Sequence, residues 1–276
     1  MKIRENVYQI RIDFSVTEQV RRFVNVYLIT GRQCWLIDSG VSGSERVIFD
    51  FMEKLGRRPE ELAGIFLTHS HPDHMGGAWA IKGRTGCRIF ASAAERPWIE
   101  DIDLQYRCRP IPNFYRLAGN SVKVDVNLKN DDKLTIERDV FLEVMETKGH
   151  SMGDLSFVLH QKGEKLIFTG DAVPARDDEP IFISWQDSME ALDQIASQMP
   201  AVICPAWDRV CEGPEAACAL QARKEELLRL RRIALDVDKA WPQLDEAARV
   251  SKIAELAGRK AWDGNPLFAK SLKALY

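Results

Sequence analysis

The sequence has no run of about 18 apolar residues, the length a membrane-spanning helix requires. Its opening, MKIRENVYQIRID, has no apolar core behind the basic residues and does not read as a secretory signal. The expectation is a cytoplasmic protein without a membrane partner. There is no surplus of basic charge: 38 Lys and Arg stand against 41 Asp and Glu, a formal net charge of −3. A nucleic-acid partner is therefore not expected, because phosphate backbones are usually met by a basic excess. No C-x-x-C pair occurs among the six cysteines, Cys34, Cys87, Cys108, Cys204, Cys211 and Cys218. In a reducing compartment these read as free thiols, several of them buried. Neither an internal repeat nor a low-complexity linker is visible. What remains is an ordinary globular composition, 45% hydrophobic over 276 residues, enough for one large α/β domain with or without a small appendage.

Histidine is scarce as well, and its placement is uneven. Of five histidines, three fall in FLTHSHPDHMGG, where His69, His71, Asp73 and His74 lie within six positions. The segments around this cluster set its context. Residues 6–12, 23–30 and 33–40 are β-branched and aromatic and read as strands, with a hairpin turn at TGRQ. Residues 45–56 read as a helix with Val47, Phe51 and Leu55 on one face and Gly56 at its end. A buried strand over 62–69 ends in the cluster, followed by a short helix at 76–86 and a strand at 87–92. This alternation predicts a layered α/β domain.

Residues 95–120 break the rhythm with aromatic and Arg residues, Pro110 and Pro112. Such an insertion is either a lid over a site or a packed surface excursion. Strands resume at 122–128, 133–136, 141–147, 155–161, 165–170 and 201–205, with a helix at 184–198 striped by Met189, Leu192 and Ile195. From 214 onward the pattern is helical, with Leu220, Leu227, Leu230, Ala234 and Val237 on one face and further helices at 244–258 and 266–275. The basic and acidic run at 223–232 reads as a solvated helix face. The organisation expected is a main domain over 1–212 and a C-terminal helical extension over 213–276.

Imidazole nitrogens and carboxylate oxygens suit zinc and other first-row metals. The cluster alone offers too few ligands. Two more strand ends carry candidates: His150 in TKGHSMGDLSF, behind Gly149, and Asp171 in LIFTGDAV, behind Gly170. Polar residues in glycine-bearing turns at the ends of buried strands mark a site on a sheet rim.

This order of motifs, with NVYLI and WLIDSG before it, resembles the metallo-β-lactamase superfamily, in particular its glyoxalase II-like hydrolases. The resemblance runs from residue 5 to about 210. It implies an αββα sandwich with a metal site at the sheet edges. Residues matching His69, His71 and His150 would hold a first ion, those matching Asp73 and His74 a second, and Asp171 would bridge them. One departure stands out. The family usually closes its ligand set with a Pro-Gly-His-Gly turn, whereas ICPAWDRV puts Trp207 in place of the histidine. Two readings are open: Asp208 supplies the missing ligand, or Trp207 walls the pocket and the second site is weak or empty. Asp38 in LIDSG reads as an orienting or structural carboxylate, and His160, within a strand, as structural.

The ligand set and the resemblance imply hydrolysis of an ester, thioester or lactone carbonyl by a metal-bound hydroxide, with Asp73 orienting it or passing its proton to the leaving group. The cofactor expected is one or two divalent ions, zinc first, with iron or manganese accepted by the same donors. The substrate is a small molecule, in a pocket walled by the insertion and the C-terminal helices. Tyr106, Arg107, Arg109, Phe114 and Tyr115 are candidate substrate contacts because they lie in the insertion. Trp98 and Trp185 read as packing. Two alternatives stand beside hydrolysis: a mononuclear iron oxygenase of sulfur compounds, and a non-catalytic binding or regulatory protein with a degraded second site. A β-lactamase is disfavoured by the absent signal, and a nuclease by the absent basic face. The apolar segment LFAKSLKALY docks either on its own chain or on a second copy, which leaves a homodimer open.

Overall fold

The β-branched segments of the first half pair into one sheet of seven strands, in chain order. They are β1 (Lys2–Arg4), β2 (Val7–Ser15), β3 (Arg21–Thr30), β4 (Cys34–Ile37), β5 (Leu62–Phe66), β6 (Arg88–Ser92) and β7 (Val126–Leu128). The first four run antiparallel, with Thr30 opposite Cys34 across the expected hairpin, and β4 to β7 run parallel. Parallel neighbours need crossovers, and these supply α1 (Ser44–Lys54), α2 (Pro72–Met75) and α3 (Ala78–Thr85). The insertion is three short helices, α4 (Arg96–Glu100), α5 (Ile102–Cys108) and α6 (Phe114–Ala118). The computed structural model describes residues 1–275.

A second sheet follows, in the order β13-β12-β11-β10-β9-β8. It comprises β8 (Lys133–Glu137), β9 (Val140–Glu146), β10 (Leu155–Gln161), β11 (Glu164–Gly170), β12 (Val202–Pro205) and β13 (Cys211–Glu212). Helix α7 (Trp185–Ser197) crosses between β11 and β12, which pair in parallel. Ser184 caps it, its Oγ accepting from Asp187 N. Helices α8 (Pro214–Ala240), α9 (Glu246–Leu256) and α10 (Pro266–Lys273) complete the chain.

Period-two alternation along the strands divides the apolar residues among three layers. In β5, Ile65 packs beneath α1 and α3 while Phe66 points to the second sheet. In β11, Leu166 and Phe168 point between the sheets while Ile167 packs under the C-terminal helices. Phe66 and Phe157 meet across the two sheets at 5.6 Å between ring centroids. The result is helices, sheet, sheet, helices, the αββα sandwich expected.

Two details differ from the sequence expectation. In α1 the buried positions are Ile48 and Met52, while Val47 is 45% exposed. The two stripes are neighbours on one helix: Phe51 and Leu55 of the expected one pack at the margin of the same core, and the buried centre falls on Ile48 and Met52. Strand β5 stops at Phe66, so Leu67, Thr68 and His69 leave the sheet. The C-terminal helices share one apolar cluster with the outer face of the second sheet, through Val158, Ile167 and Ile203. Residues 267–275 dock on their own chain, burying Phe268, Leu272 and Leu275; Tyr276 lies outside the described residues. Among the described residues no helix is long and apolar enough to cross a membrane, and all six cysteines are free.

Candidate metal centre

Three chain reversals at the same edge of the sandwich bring the candidate ligands together. The chain leaves β5 and turns into α2, with His71 as the residue before the helix and Pro72 at its first position. The turn between β9 and β10 carries His150, and the end of β11 carries Asp171. Donor atoms of His69, His71 and His150 lie within 4.8 Å of one another, as do those of His69, His74 and Asp171. His71 Nδ1 and His150 Nε2 are 2.8 Å apart. Asp171 stands between the groups, with Oδ2 3.2 Å from His150 Nε2 and Oδ1 3.1 Å from His74 Nε2. Asp73 Oδ2 lies 3.3 Å from the same His74 nitrogen. The six residues named from the motifs therefore converge.

Three of the four imidazoles are held from behind. His150 Nδ1 donates to the Ile181 carbonyl at 2.7 Å, which leaves its Nε2 as the outward lone pair. His74 Nδ1 meets Asp38 Oδ2 at 2.8 Å, and His69 Nδ1 meets Asp154 Oδ1 at 3.3 Å. Such partners fix tautomer and ring orientation. Asp38 has a left-handed backbone, φ 59°, and also accepts from Thr68 N at 2.8 Å and from Thr68 Oγ1. Glu95 ties two of the reversals together: it accepts from Ser70 N and Oγ on one side, and from Ser151 Oγ and Gly153 N on the other. Gly170, at φ 49°, is required for close approach, because a Cβ there would sit 2.8 Å from Thr68 Cβ. Sequence reasoning reached Asp38 but missed Thr68, Glu95 and Asp154. Asp154 had a faint signal, four residues after His150; Glu95 had none.

Burial and charge prepare these groups for a cation. Burial, reinforced by the neighbouring imidazoles, pushes His69 well below the ordinary histidine range. Burial, with Arg109 next, does the same for His71, and burial lowers His150. Neutral imidazoles are the metal-binding form. Burial also pushes His74 down, but Asp171, Asp38 and Asp73 outweigh it and hold that ring well above its usual value. Asp171 is raised by burial, yet His74 and His150 prevail and leave it below the usual carboxylate range.

At this centre three buried atoms have no hydrogen-bond partner: His69 Nε2, His74 Nε2 and Asp171 Oδ1. These are donors of the second group. His74 Nε2 and Asp171 Oδ1 approach to 3.1 Å without hydrogen-bond geometry, as two ligands of one ion do. Leaving buried polar atoms unpaired costs about 1–3 kcal/mol each. The residues present fit a metal: three neutral imidazoles on one side, and one imidazole with two carboxylates on the other.

A cavity of ≈ 680 Å³ opens on this floor. Its walls come from far apart in the chain: Phe14 and Val16, Arg109 to Pro112 of the insertion, Trp207, and Trp262 to Leu267 of the extension. Of the candidate substrate contacts, Arg109 and Trp207 line the cavity. Tyr106 and Tyr115, expected as contacts, are not among its lining residues: they are 38% and 48% exposed, and their tilted rings pack at 5.1 Å between centroids. Phe114 is buried in packing and Arg107 is exposed. The short helices spend their aromatic residues on one another. Asp208 does not join either donor group: its oxygens accept from the backbone N–H of Arg176 and Arg209. The turn it sits on is held by β3, where Tyr27 OH donates to the Pro205 carbonyl at 2.6 Å and Asn25 Nδ2 to that of Asp208 at 2.9 Å. That turn presents Trp207 to the cavity, edge-on to Phe14 at 6.1 Å. His160 is structural, stacked on Phe141 and paired with Glu143.

Comparison with known proteins agrees with this architecture. The model of the metallo-beta-lactamase superfamily matches residues 20–207. A hydroxyacylglutathione hydrolase of Cereibacter sphaeroides is 26% identical over 212 residues, covering 74% of this chain and 73% of the relative. A probable metallo-hydrolase of Methanocaldococcus jannaschii is 26% identical over 180 residues, covering 63% of this chain and 82% of the relative. The crystal structure of a metallo-beta-lactamase family protein from Thermus thermophilus superposes with a TM-score of 0.74 at 18% identity, covering 98% of this chain and 93% of that one.

Proposed function

Since the chain belongs to the metallo-beta-lactamase superfamily, we propose that it is a metal-dependent hydrolase of an ester, thioester or lactone carbonyl. The observation that carries this reading is the convergence of His69, His71 and His150 beside the unpartnered atoms of His69, His74 and Asp171, at the floor of a cavity. The hydroxyacylglutathione hydrolase name of the relatives supports a thioester first.

His69, His71 and His150 would hold one ion, and Asp73, His74 and Asp171 a second. A divalent ion there supplies Lewis acidity and an activated water at neutral pH. The protein's own groups do the rest. Asp73, half-buried and facing the cavity, takes the proton of the attacking water and returns it to the leaving group. The backbone of Ile181 and the carboxylates of Asp38 and Asp154 keep the imidazoles from turning. Ile111, Trp207 and Trp262 line the cavity with apolar surface and exclude bulk water.

The position of Trp207 and Asp208 favours a second form of this reading, in which one ion suffices because neither residue adds a donor to the Asp73, His74 and Asp171 group. The test is metal content per chain together with turnover of a thioester and ester panel, before and after chelation and zinc return. Zinc-restored hydrolysis supports the reading, and the count separates one ion from two. Iron with oxygen uptake on a persulfide, and no hydrolysis, overturns it. Protein without metal affinity overturns it as well.

A further inference from the structure

Arg109 is the cavity residue that the centre itself does not use. It follows the last turn of α5, its N–H donating to the Gln105 carbonyl at 2.8 Å. Gln105 is fully buried, and its Nε2 donates to the Ser70 carbonyl at 2.5 Å, between two ligands. The position of Arg109 is thus tied to the floor through one helical turn. The residue is half-buried and lines the cavity beside Pro110, Ile111 and Pro112.

Its charge is uncompensated at close range. Among the described residues its guanidinium makes neither a hydrogen bond nor an ion pair, and Asp73 and Asp171 act on it only through space. The other charges of the cavity wall are already matched. Arg22 pairs with Asp178 and Glu179, and Asp177 pairs with Arg259. Cations held on the floor would offset the charges of Asp73 and Asp171, the two carboxylates that act on Arg109. A half-buried guanidinium without a partner is costly unless a ligand supplies one.

We propose that Arg109 binds a carboxylate carried by the substrate, so that the acyl group to be cleaved is a half-ester or half-thioester of a dicarboxylic acid. This rests on the hydrolase reading for the word substrate, though not for the anion site. One planar fork matches one carboxylate in a bidentate pair, whereas a phosphate dianion would call for more than one cation. The apolar stretch after Arg109 accommodates the hydrocarbon spacer between that carboxylate and the carbonyl.

The experiment compares thioesters of N-acetylcysteamine with and without a terminal carboxylate: glutaryl against pentanoyl, and adipoyl against hexanoyl. The readout is the ratio of kcat/KM within each pair, which a general loss of activity does not move. A charge-assisted pair predicts a ratio of about 10 to 100 in favour of the acid for at least one length, falling toward 1 in Arg109→Met and partly kept in Arg109→Lys. Calorimetric binding of adipate against hexanoate to the zinc-loaded protein gives the same comparison without turnover. Adipate preference lost in Arg109→Met, with no thioester hydrolysed, leaves the anion site standing and sinks the hydrolase. Hydrolysis with equal rates for acid and neutral acyl groups, and equal binding of the two probes, sinks the anion site and leaves the hydrolase.

Discussion

The cavity floor and the cavity walls differ in how their side chains are held. Floor residues come from three strand ends, and His69, His74 and His150 each have a buried partner behind them in Asp154, Asp38 and the Ile181 carbonyl. Wall residues come from segments as distant as Phe14 and Leu267, and their charged members meet in half-exposed pairs such as Arg22 with Asp178. Exposed pairs contribute little, whereas buried hydrogen-bonded groups set geometry to fractions of an ångström. The floor is therefore the rigid part of the site and the wall its adaptable part. A chemistry shared across a family sits on such a floor, and specificity is free to drift in such a wall.

Substitutions can break this contrast, and the largest effect is expected on the floor. His69 belongs to both ligand groups, so His69→Ala should lower metal affinity and turnover by more than about 100-fold, the upper end for outer partners. Equilibrium dialysis with zinc checks it, and unchanged affinity would dismantle the floor as described. One layer back, Asp38→Asn removes the carboxylate behind His74 and should cost about 10- to 100-fold in metal affinity with the fold retained. In the wall, Ile111→Ala should raise KM about 10-fold while zinc content stays as in the parent. A shift in zinc content instead would mean that wall and floor are coupled. Smallest of all, Asp208→Ala should leave the metal count unchanged, because its carboxylate serves two backbone amides. A drop from two ions to one would restore it as a ligand.

The difference between floor and wall is also a difference in what could be read from the chain. Coordination chemistry restricts residue types, so His69, His71, Asp73, His74, His150 and Asp171 were visible as His and Asp in turns behind apolar strands. The carboxylates that aim them were harder to see. Asp154 and Glu95 are ordinary acidic residues until folding puts them beside His69 and between Ser70 and Ser151. Composition was a poor guide to the wall. An insertion rich in Tyr and Arg suggested contacts at Tyr106 and Tyr115, yet those rings pack on one another outside the cavity, and Arg109 with the apolar residues after it lines the wall instead.

From the sequence alone came the layered α/β class, the strand and helix order, the six metal-ligand candidates and the Trp207 departure. The first three follow from periodicity and residue chemistry, both local properties of a chain, and the Trp207 departure from the family resemblance. Tertiary structure alone decided which face of α1 is buried, where the Asp208 carboxylate points, and which of residues 14, 109, 207 and 262 share a wall. Those outcomes depend on contacts between positions far apart in the chain, and packing settles such contacts only when all the layers are in place.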